Sequence, residues 1–170
     1  MGDEAVKAHF EMFAAYNAWA NRRLYAAAGE MDDAARKAPA GAFFGSLHGT
    51  LNHILVADRI WMRRFTGEGE THDRLDAIPF DDFKALSDAR AAMDARIAGY
   101  IAGLSEADLA ASFTYSPISN PAPVTLKLAT ALAHVFNHQT HHRGQCHHML
   151  TAAGRAAPPL DLIYHQLETA

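Results

Sequence analysis

Apolar residues recur along most of the chain at spacings of three and four residues, which is the period of amphipathic helices. Four of these stretches are long enough to be major helices, and each ends near a glycine, a residue that often follows a helix C-terminus. The four predicted helices run from about residue 4 to 28, 46 to 65, 81 to 103 and 125 to 153. Four long helices with one long connection are typical of a four-helix bundle.

The segment between the third and fourth predicted helices departs from this period. It begins with SEADLA, whose Ser-x-x-Asp spacing is typical of a short capped helix. The letters that follow, SFTYSPISNPAPV, alternate aromatic with polar residues and then contain three prolines, so they cannot be helical. They predict a short hairpin or an ordered loop. No internal repeat is visible, and residues 1–170 are predicted to form one all-α domain.

Composition narrows the class of protein. The chain has 170 residues, of which 49% are hydrophobic and 20% are charged, the balance of a globular protein with a full core. Its net charge is −4 and its Lys and Arg residues are spread out, which disfavours a nucleic-acid-binding surface. The sequence has no apolar stretch long enough to span a membrane and no apolar signal region. It contains a single cysteine. We therefore expect a cytoplasmic protein with neither a nucleic-acid nor a membrane partner.

Histidine has the most uneven distribution of any residue type in the chain. Six of the eleven histidines lie in HVFNHQTHHRGQCHHML, within the fourth predicted helix. At about 100° per residue, one face of that helix carries His134, His138, His141 and His142, whereas His147 points to the opposite side. Several neutral imidazoles on one inward face would compete for few partners, and protonating them there would cost stability. A metal ion removes this difficulty, because it accepts one nitrogen lone pair from each ring.

Two helices supply the candidate ligands. His138 and His142 are four residues apart, a helical spacing that allows two imidazoles to bind the same ion. In the second predicted helix, His53 shares its face with Gly49 and Ala57, whose small size leaves space for an ion and its ligand. Three other histidines have no such partner and are predicted to lie on the surface or in loops: His9, His72 and His165.

The sequence disfavours three other kinds of metal site. The letters HQTHH match the frame of the zincin motif H-E-x-x-H, but Gln139 stands where the motif needs a glutamate base. The Glu-x-x-His motif of di-iron bundles is absent. Asp58, the nearest carboxylate on the second predicted helix, points away from His53, so the two-His-one-carboxylate triad is absent as well. One ion with imidazole ligands remains, and imidazole suits zinc, nickel, copper or iron. Zinc or nickel is the prediction.

Three stretches resemble the DinB-like (DinB/YfiT) metalloprotein family: YNAWANRRL, LNHILVADRIW and HVFNHQTHHRGQ. The resemblance covers nearly the whole chain and implies an up-down-down-up four-helix bundle, often a homodimer. It also implies one divalent metal ion per chain, held by His53, His138 and His142. Four further residues are expected behind these ligands or around the pocket: His134, His141, Gln145 and Asn17.

The same resemblance implies a function. Three neutral imidazoles leave the charge of the ion uncompensated and one coordination position open. Family members with known activity mostly use bacterial low-molecular-weight thiols such as mycothiol or bacillithiol. The expectation is a thiol S-transferase that activates a small thiol for attack on an electrophile in stress response or detoxification. A metal hydrolase using a bound hydroxide and a non-catalytic bundle braced by its metal stay open as alternatives. Cys146 is expected to be a buried apolar residue.

Overall fold

The computed structural model describes residues 4–118 and 122–170, within which the chain forms seven helices and one two-stranded antiparallel sheet. The elements are α1 Glu4–Gly29, α2 Asp33–Lys37, α3 Leu47–Thr66, α4 Phe83–Ala102, α5 Glu106–Ala110, β1 Ser112–Tyr115, β2 Val124–Lys127, α6 Leu128–Ala152 and α7 Leu162–Thr169. The prediction of an all-α fold is confirmed. Residues 1–3 of the amino-terminal stretch and residues 119–121 of the predicted hairpin or loop lie outside the described residues.

The four long helices α1, α3, α4 and α6 form an up-down-down-up bundle, as the family resemblance implied. Helix α1 packs against α4 and α6, and α3 packs against the same two helices, so α1 and α3 lie diagonally across the bundle. Because α3 and α4 run in the same direction, residues 67–82 must return along the length of the bundle between them. In the part of the chain that the structure describes, no helix is both long and apolar enough to cross a membrane.

Side-chain and glycine caps fix the ends of the helices near the predicted positions. Helix α3 begins after Ser46, whose hydroxyl accepts a hydrogen bond from the backbone N–H of Gly49, and it ends at Gly67 with a φ of 72°. Helix α4 begins after Asp82, whose carboxylate accepts from the N–H of Ala85. The third predicted helix, expected from about residue 81, thus begins after Asp82.

The fourth predicted helix begins three residues too early. Residues Val124–Lys127 form strand β2, which pairs antiparallel with Ser112–Tyr115, so α6 begins at Leu128. The strand forms because its inward side chain Leu126 and those of Phe113 and Tyr115 pack around Trp61 of α3. Of the two alternatives for this segment, the hairpin is thus confirmed.

Helices α2 and α7 were not predicted. Helix α7 folds back onto α1, where His165 is buried with ring centroids 6.1 Å from Tyr16 and 5.6 Å from Trp19. The expectation that His165 lies on the surface or in a loop is therefore wrong. Its burial depends on a tertiary contact between the two ends of the chain, which local spacing does not encode. His9 is exposed and His72 is half-buried in the segment after α3, as expected.

Charged and amide side chains meet inside the bundle. Asp58 of α3 accepts a hydrogen bond of 2.6 Å from Arg90 of α4, and Arg90 also lies 2.8 Å from Asp94 one turn further on. Asp94 accepts hydrogen bonds from the side-chain amides of Asn17, at 3.2 Å, and Asn21, at 2.9 Å, both on α1. All five residues are buried. The carboxylates therefore compensate a guanidinium that has no access to water.

Helix α6 closes this set of contacts into a ring. Arg143 donates a hydrogen bond to Asn17, and it lies 3.3 Å from the amide oxygen of Gln139. The amide nitrogen of Gln139 in turn donates to Asp58. We call this set the buried polar ring: Asn17, Asp58, Arg90, Asp94, Gln139 and Arg143. It joins all four long helices, and its two arginines balance its two aspartates.

Replacing Asp58 with alanine should destabilise the fold strongly. The change leaves Arg90 and the amide of Gln139 buried with fewer acceptors, and breaking a buried ion pair costs about 3–5 kcal/mol of unfolding free energy. Urea unfolding followed by circular dichroism measures this loss. The matched control is Asp88→Ala on α4, which removes an exposed pair with Lys84 and should leave the midpoint nearly unchanged. Equal midpoints for the two variants would contradict a stabilising ring.

Candidate metal centre

Three histidines converge where α3 packs against α6. His53 comes from the middle of α3, and His138 and His142 lie one turn apart on α6. The Nε2 atom of His53 is 3.2 Å from the Nε2 atom of His138 and 3.2 Å from that of His142. The ligand atoms of all three residues lie within 4.8 Å of one another. The structure thus brings together the three residues that the sequence singled out as ligands.

Hydrogen bonds on the far side of two rings set their tautomers. The Nδ1 atom of His53 lies 2.7 Å from the backbone carbonyl oxygen of Leu75, and the Nδ1 atom of His142 lies 2.7 Å from Oε1 of Gln145. Both partners are acceptors, so Nδ1 carries the proton in each ring and Nε2 carries a lone pair. The amide nitrogen of Gln145 lies 3.3 Å from Nε2 of His141, which is consistent with this orientation of the amide.

The Nε2 lone pairs of His53 and His142, which face one another at 3.2 Å, repel unless a cation lies between them. Two nitrogens that share a zinc ion, with bonds of about 2.0–2.1 Å, are roughly 3.3 Å apart at a tetrahedral angle. The observed spacing and the outward Nδ1 protons therefore fit a divalent metal ion, with acceptors behind the ligands of the kind found in metalloproteins. Within the described residues, the cluster contains imidazoles and no carboxylate.

The histidines are also held in the form that binds metal. Burial, together with smaller contributions from the nearby rings of His142 and His53, lowers the pKa of His138 to about 3. Burial lowers the pKa of His53 to about 4, against the hydrogen bond to Leu75, and it lowers that of His142 as well. All three rings are therefore neutral at pH 7, and a metal ion would not have to displace protons from them.

An aromatic side chain from the segment before α3 covers the cluster. The ring of Phe44 stacks on His53 at a centroid distance of 3.6 Å and an angle of 14°, and its edge faces His142 at 5.6 Å. The backbone of Phe44 approaches α3 at Gly49, where a Cβ atom would overlap the carbonyl oxygen of Phe44. The space beside Gly49 is thus filled by this segment and not by an ion, which corrects the sequence-based expectation.

The remaining candidate residues take different positions. The exposed His134 lies beside the cluster, with its ring centroid 5.9 Å from that of His138. His141 is exposed and contacts Gln145, which holds His142. Asn17 lies in the buried polar ring, where it bonds Asp94 and Arg143. Of the four residues expected behind the ligands or around the pocket, Gln145 is hydrogen-bonded to a ligand, and the rings of His134 and His141 pack against His138 and His142.

A cavity of about 320 Å³ opens from the cluster. His53, His138 and His134 border it at one end, and Trp61 of α3 and Tyr115 of β1 form an aromatic wall. This volume is at the lower end of the range of roughly 300–1,000 Å³ that is usual for small-molecule sites. The cavity gives a small ligand access to His53 and His138 of the cluster.

Several residues of the site escaped the sequence analysis. The contacts of Phe44 and of the Leu75 carbonyl come from connecting segments, whose path has no periodic signal. Gln139 was considered only as a missing base, whereas it donates a hydrogen bond to Asp58 in the buried polar ring. Arg64, which borders the cavity, could have been found, because it lies three turns after His53 on the same face of α3.

Cys146 takes no part in the cluster. Its side chain is fully buried in the main core, and burial raises the pKa of its thiol. It packs as a small apolar residue, as expected.

The fold and the cluster together define a class of protein, a helical bundle with a histidine triad positioned to hold a metal ion between α3 and α6. The DinB family profile matches residues 1–169, and the chain belongs to the DinB family. Protein DinB of Bacillus subtilis (strain 168) is 27% identical over 165 residues, which cover 86% of this chain and 87% of that protein. A DinB-like protein from Bacillus cereus ATCC 10987, solved at 2.01 Å, aligns with a TM-score of 0.62 over 82% of this chain and 89% of that chain. At 18% identity, this likeness supports the fold.

Removing either ligand from α6 should abolish metal binding. We expect protein purified without an affinity tag to contain about one divalent ion per chain, because the three imidazoles converge on one point. Elemental analysis should show this metal lost in His138→Ala and His142→Ala. His148→Ala is the matched control, since His148 is exposed on the same helix. Full occupancy in both ligand variants would reject this ligand set.

The metal-free protein should lose stability on acidification. The folded state holds the pKa of His53 at about 4 and that of His138 at about 3, below the ordinary value of 6.5. Between pH 6.5 and these values, the unfolded chain binds protons that the folded chain does not. The melting temperature in EDTA should therefore fall as the pH decreases from 6.5 to 4, and His138→Gln should reduce the fall. An equal pH dependence in wild type and variant would contradict this assignment.

Proposed function

We propose that this protein is a metal-dependent thiol S-transferase that joins a low-molecular-weight thiol to a small electrophile. The observation that carries the proposal is the convergence of the Nε2 atoms of three neutral imidazoles beside a cavity large enough for a small molecule. The thiol comes from the family resemblance, because characterised DinB-like proteins mostly use such cofactors.

His53, His138 and His142 would hold the ion. When bound, a divalent ion supplies Lewis acidity, which lowers the pKa of a coordinated thiol so that the nucleophilic thiolate forms at neutral pH. The all-imidazole ligand set favours this chemistry, since no carboxylate within the described part of the cluster offsets the charge of the ion. Zinc or nickel, one ion per chain, is the proposed metal.

The residues around the ligands orient them and keep water from one side of the site. The Leu75 carbonyl and the Gln145 amide fix two imidazoles with Nε2 toward the shared point. The stacked ring of Phe44 covers His53 on one side. The walls near Trp61 supply apolar surface against which an electrophile can lie beside the thiol.

The wider biological setting is part of the same proposal. We place the protein in the cytoplasm as a single-domain homodimer that acts in stress response or detoxification. The compartment rests on the single cysteine, which allows no internal disulfide, and the dimer rests on the family resemblance. Sedimentation of the purified protein measures the oligomeric state.

Cobalt substitution provides the test of thiol binding. The cobalt-loaded protein should change its visible and near-ultraviolet absorption when 2-mercaptoethanol is added, because a thiolate enters the coordination sphere. Ethylene glycol, which carries an alcohol in place of the thiol, should leave the spectrum unchanged. An unchanged spectrum with the thiol would reject the transferase and leave the metal hydrolase and the non-catalytic bundle braced by its metal.

A further inference from the structure

One cation borders the metal cavity without an acidic partner. The guanidinium carbon of Arg64 lies 4.7 Å from the ring centroid of Trp61 and 4.7 Å from that of Tyr115. One of its nitrogens donates a hydrogen bond of 3.1 Å to the backbone carbonyl of Ser116. None of the ion pairs among the described residues includes Arg64. The guanidinium therefore keeps further N–H donors for a ligand.

Other arginines of the same region differ from Arg64. Arg59, also on α3, forms an ion pair of 2.6 Å with Glu70, and Arg90 pairs with Asp58. Partial burial lowers the pKa of Arg64, the direction expected for a partly desolvated cation without a carboxylate beside it. A cation at a cavity wall without a carboxylate beside it is well placed to bind an anion.

Arg64 and the histidine cluster lie at the two ends of one cavity. Arg64 is three turns beyond His53 on the same face of α3, a rise of about 16 Å. Side chains of a helix lean toward its N-terminus. The guanidinium accordingly lies over Trp61, one turn back toward His53. A single small molecule could thus contact Arg64 with one end and reach the cluster with the other.

The walls between these two ends are mostly apolar. Ala57 and Ile60 of α3 line the cavity together with Leu75, Pro117 and Ile118 from the connecting segments. A polar ligand such as a sugar would leave hydroxyl groups without partners against these side chains, at a cost for each one. The body of the ligand is therefore expected to be apolar, with its charge confined to the end at Arg64.

We propose that the electrophile accepted by this site is a small apolar molecule bearing a carboxylate, which pairs with Arg64 while the body lies against Trp61 and Tyr115. The assignment rests on the proposed function only in identifying this ligand as the electrophilic substrate. Arg64 is then a specificity-determining residue that selects the anion by a charge-assisted hydrogen bond.

Binding of 3-phenylpropionate and of its neutral amide, 3-phenylpropanamide, tests this inference by calorimetry. The wild-type protein, both metal-loaded and metal-free, should bind the carboxylate about tenfold more tightly than the amide, the ratio expected for one charge-assisted hydrogen bond. Arg64→Gln should remove this preference, and Arg64→Lys should retain part of it. The matched control is Arg63→Gln, which makes the same charge change at an exposed neighbouring position and should keep the full preference.

Two results would overturn the proposal. The first is that Arg64→Gln still prefers the carboxylate to the amide. If this remaining preference requires metal, the anion binds at the histidine cluster and not at residue 64. The second concerns the cobalt form of Arg64→Gln. If its response to L-cysteine is weaker than that of the wild type while its response to 2-mercaptoethanol is unchanged, Arg64 binds the carboxylate of the thiol and not that of the electrophile. A tenfold preference that depends on Arg64, together with a cobalt spectrum that no thiol changes, would support the anion site and reject the transferase.

Discussion

Compensation of buried charge inside the bundle is the constraint on which the site depends. Each long helix contributes at least one member of the buried polar ring, and an unpaired member would be costly, so each helix is restricted in its rotation. On α6 the ring residues Gln139 and Arg143 directly follow the ligands His138 and His142. Turning Gln139 and Arg143 toward the ring therefore turns the two imidazoles toward α3. The same rotation of α6 therefore satisfies both the buried polar ring and the metal centre.

The topology contributes in a second way. Two adjacent helices that run in the same direction need a long return connection, and residues 67–82 provide it after α3. This segment passes the site, where Leu75 accepts a hydrogen bond from His53 and Phe80 contacts His48 and Asn52. A connection that the bundle requires for its chain path thus also supplies the acceptor that orients a ligand.

The sequence was most informative where chemistry follows helical spacing. The four long helices and the three converging histidines could be predicted because periodicity decides which side chains share a face. Residues placed by tertiary contacts could not: His165 is buried by the packing of α7 on α1, and Phe44 reaches His53 through a non-helical segment. The residues of β2 were partly assigned to the last predicted helix because so short a stretch fits both a helical and a strand pattern. Only its pairing with β1 decides for the strand.

The close approach at Gly49 links a position without a side chain to the mobility of a ligand. The carbonyl oxygen of Phe44 occupies the place of a Cβ atom there, and the ring of Phe44 lies flat on His53. A side chain at position 49 would displace Phe44 and leave the imidazole restrained by the Leu75 hydrogen bond without the stacked ring. Gly49 consequently helps to reduce the conformational entropy that His53 would lose on coordination.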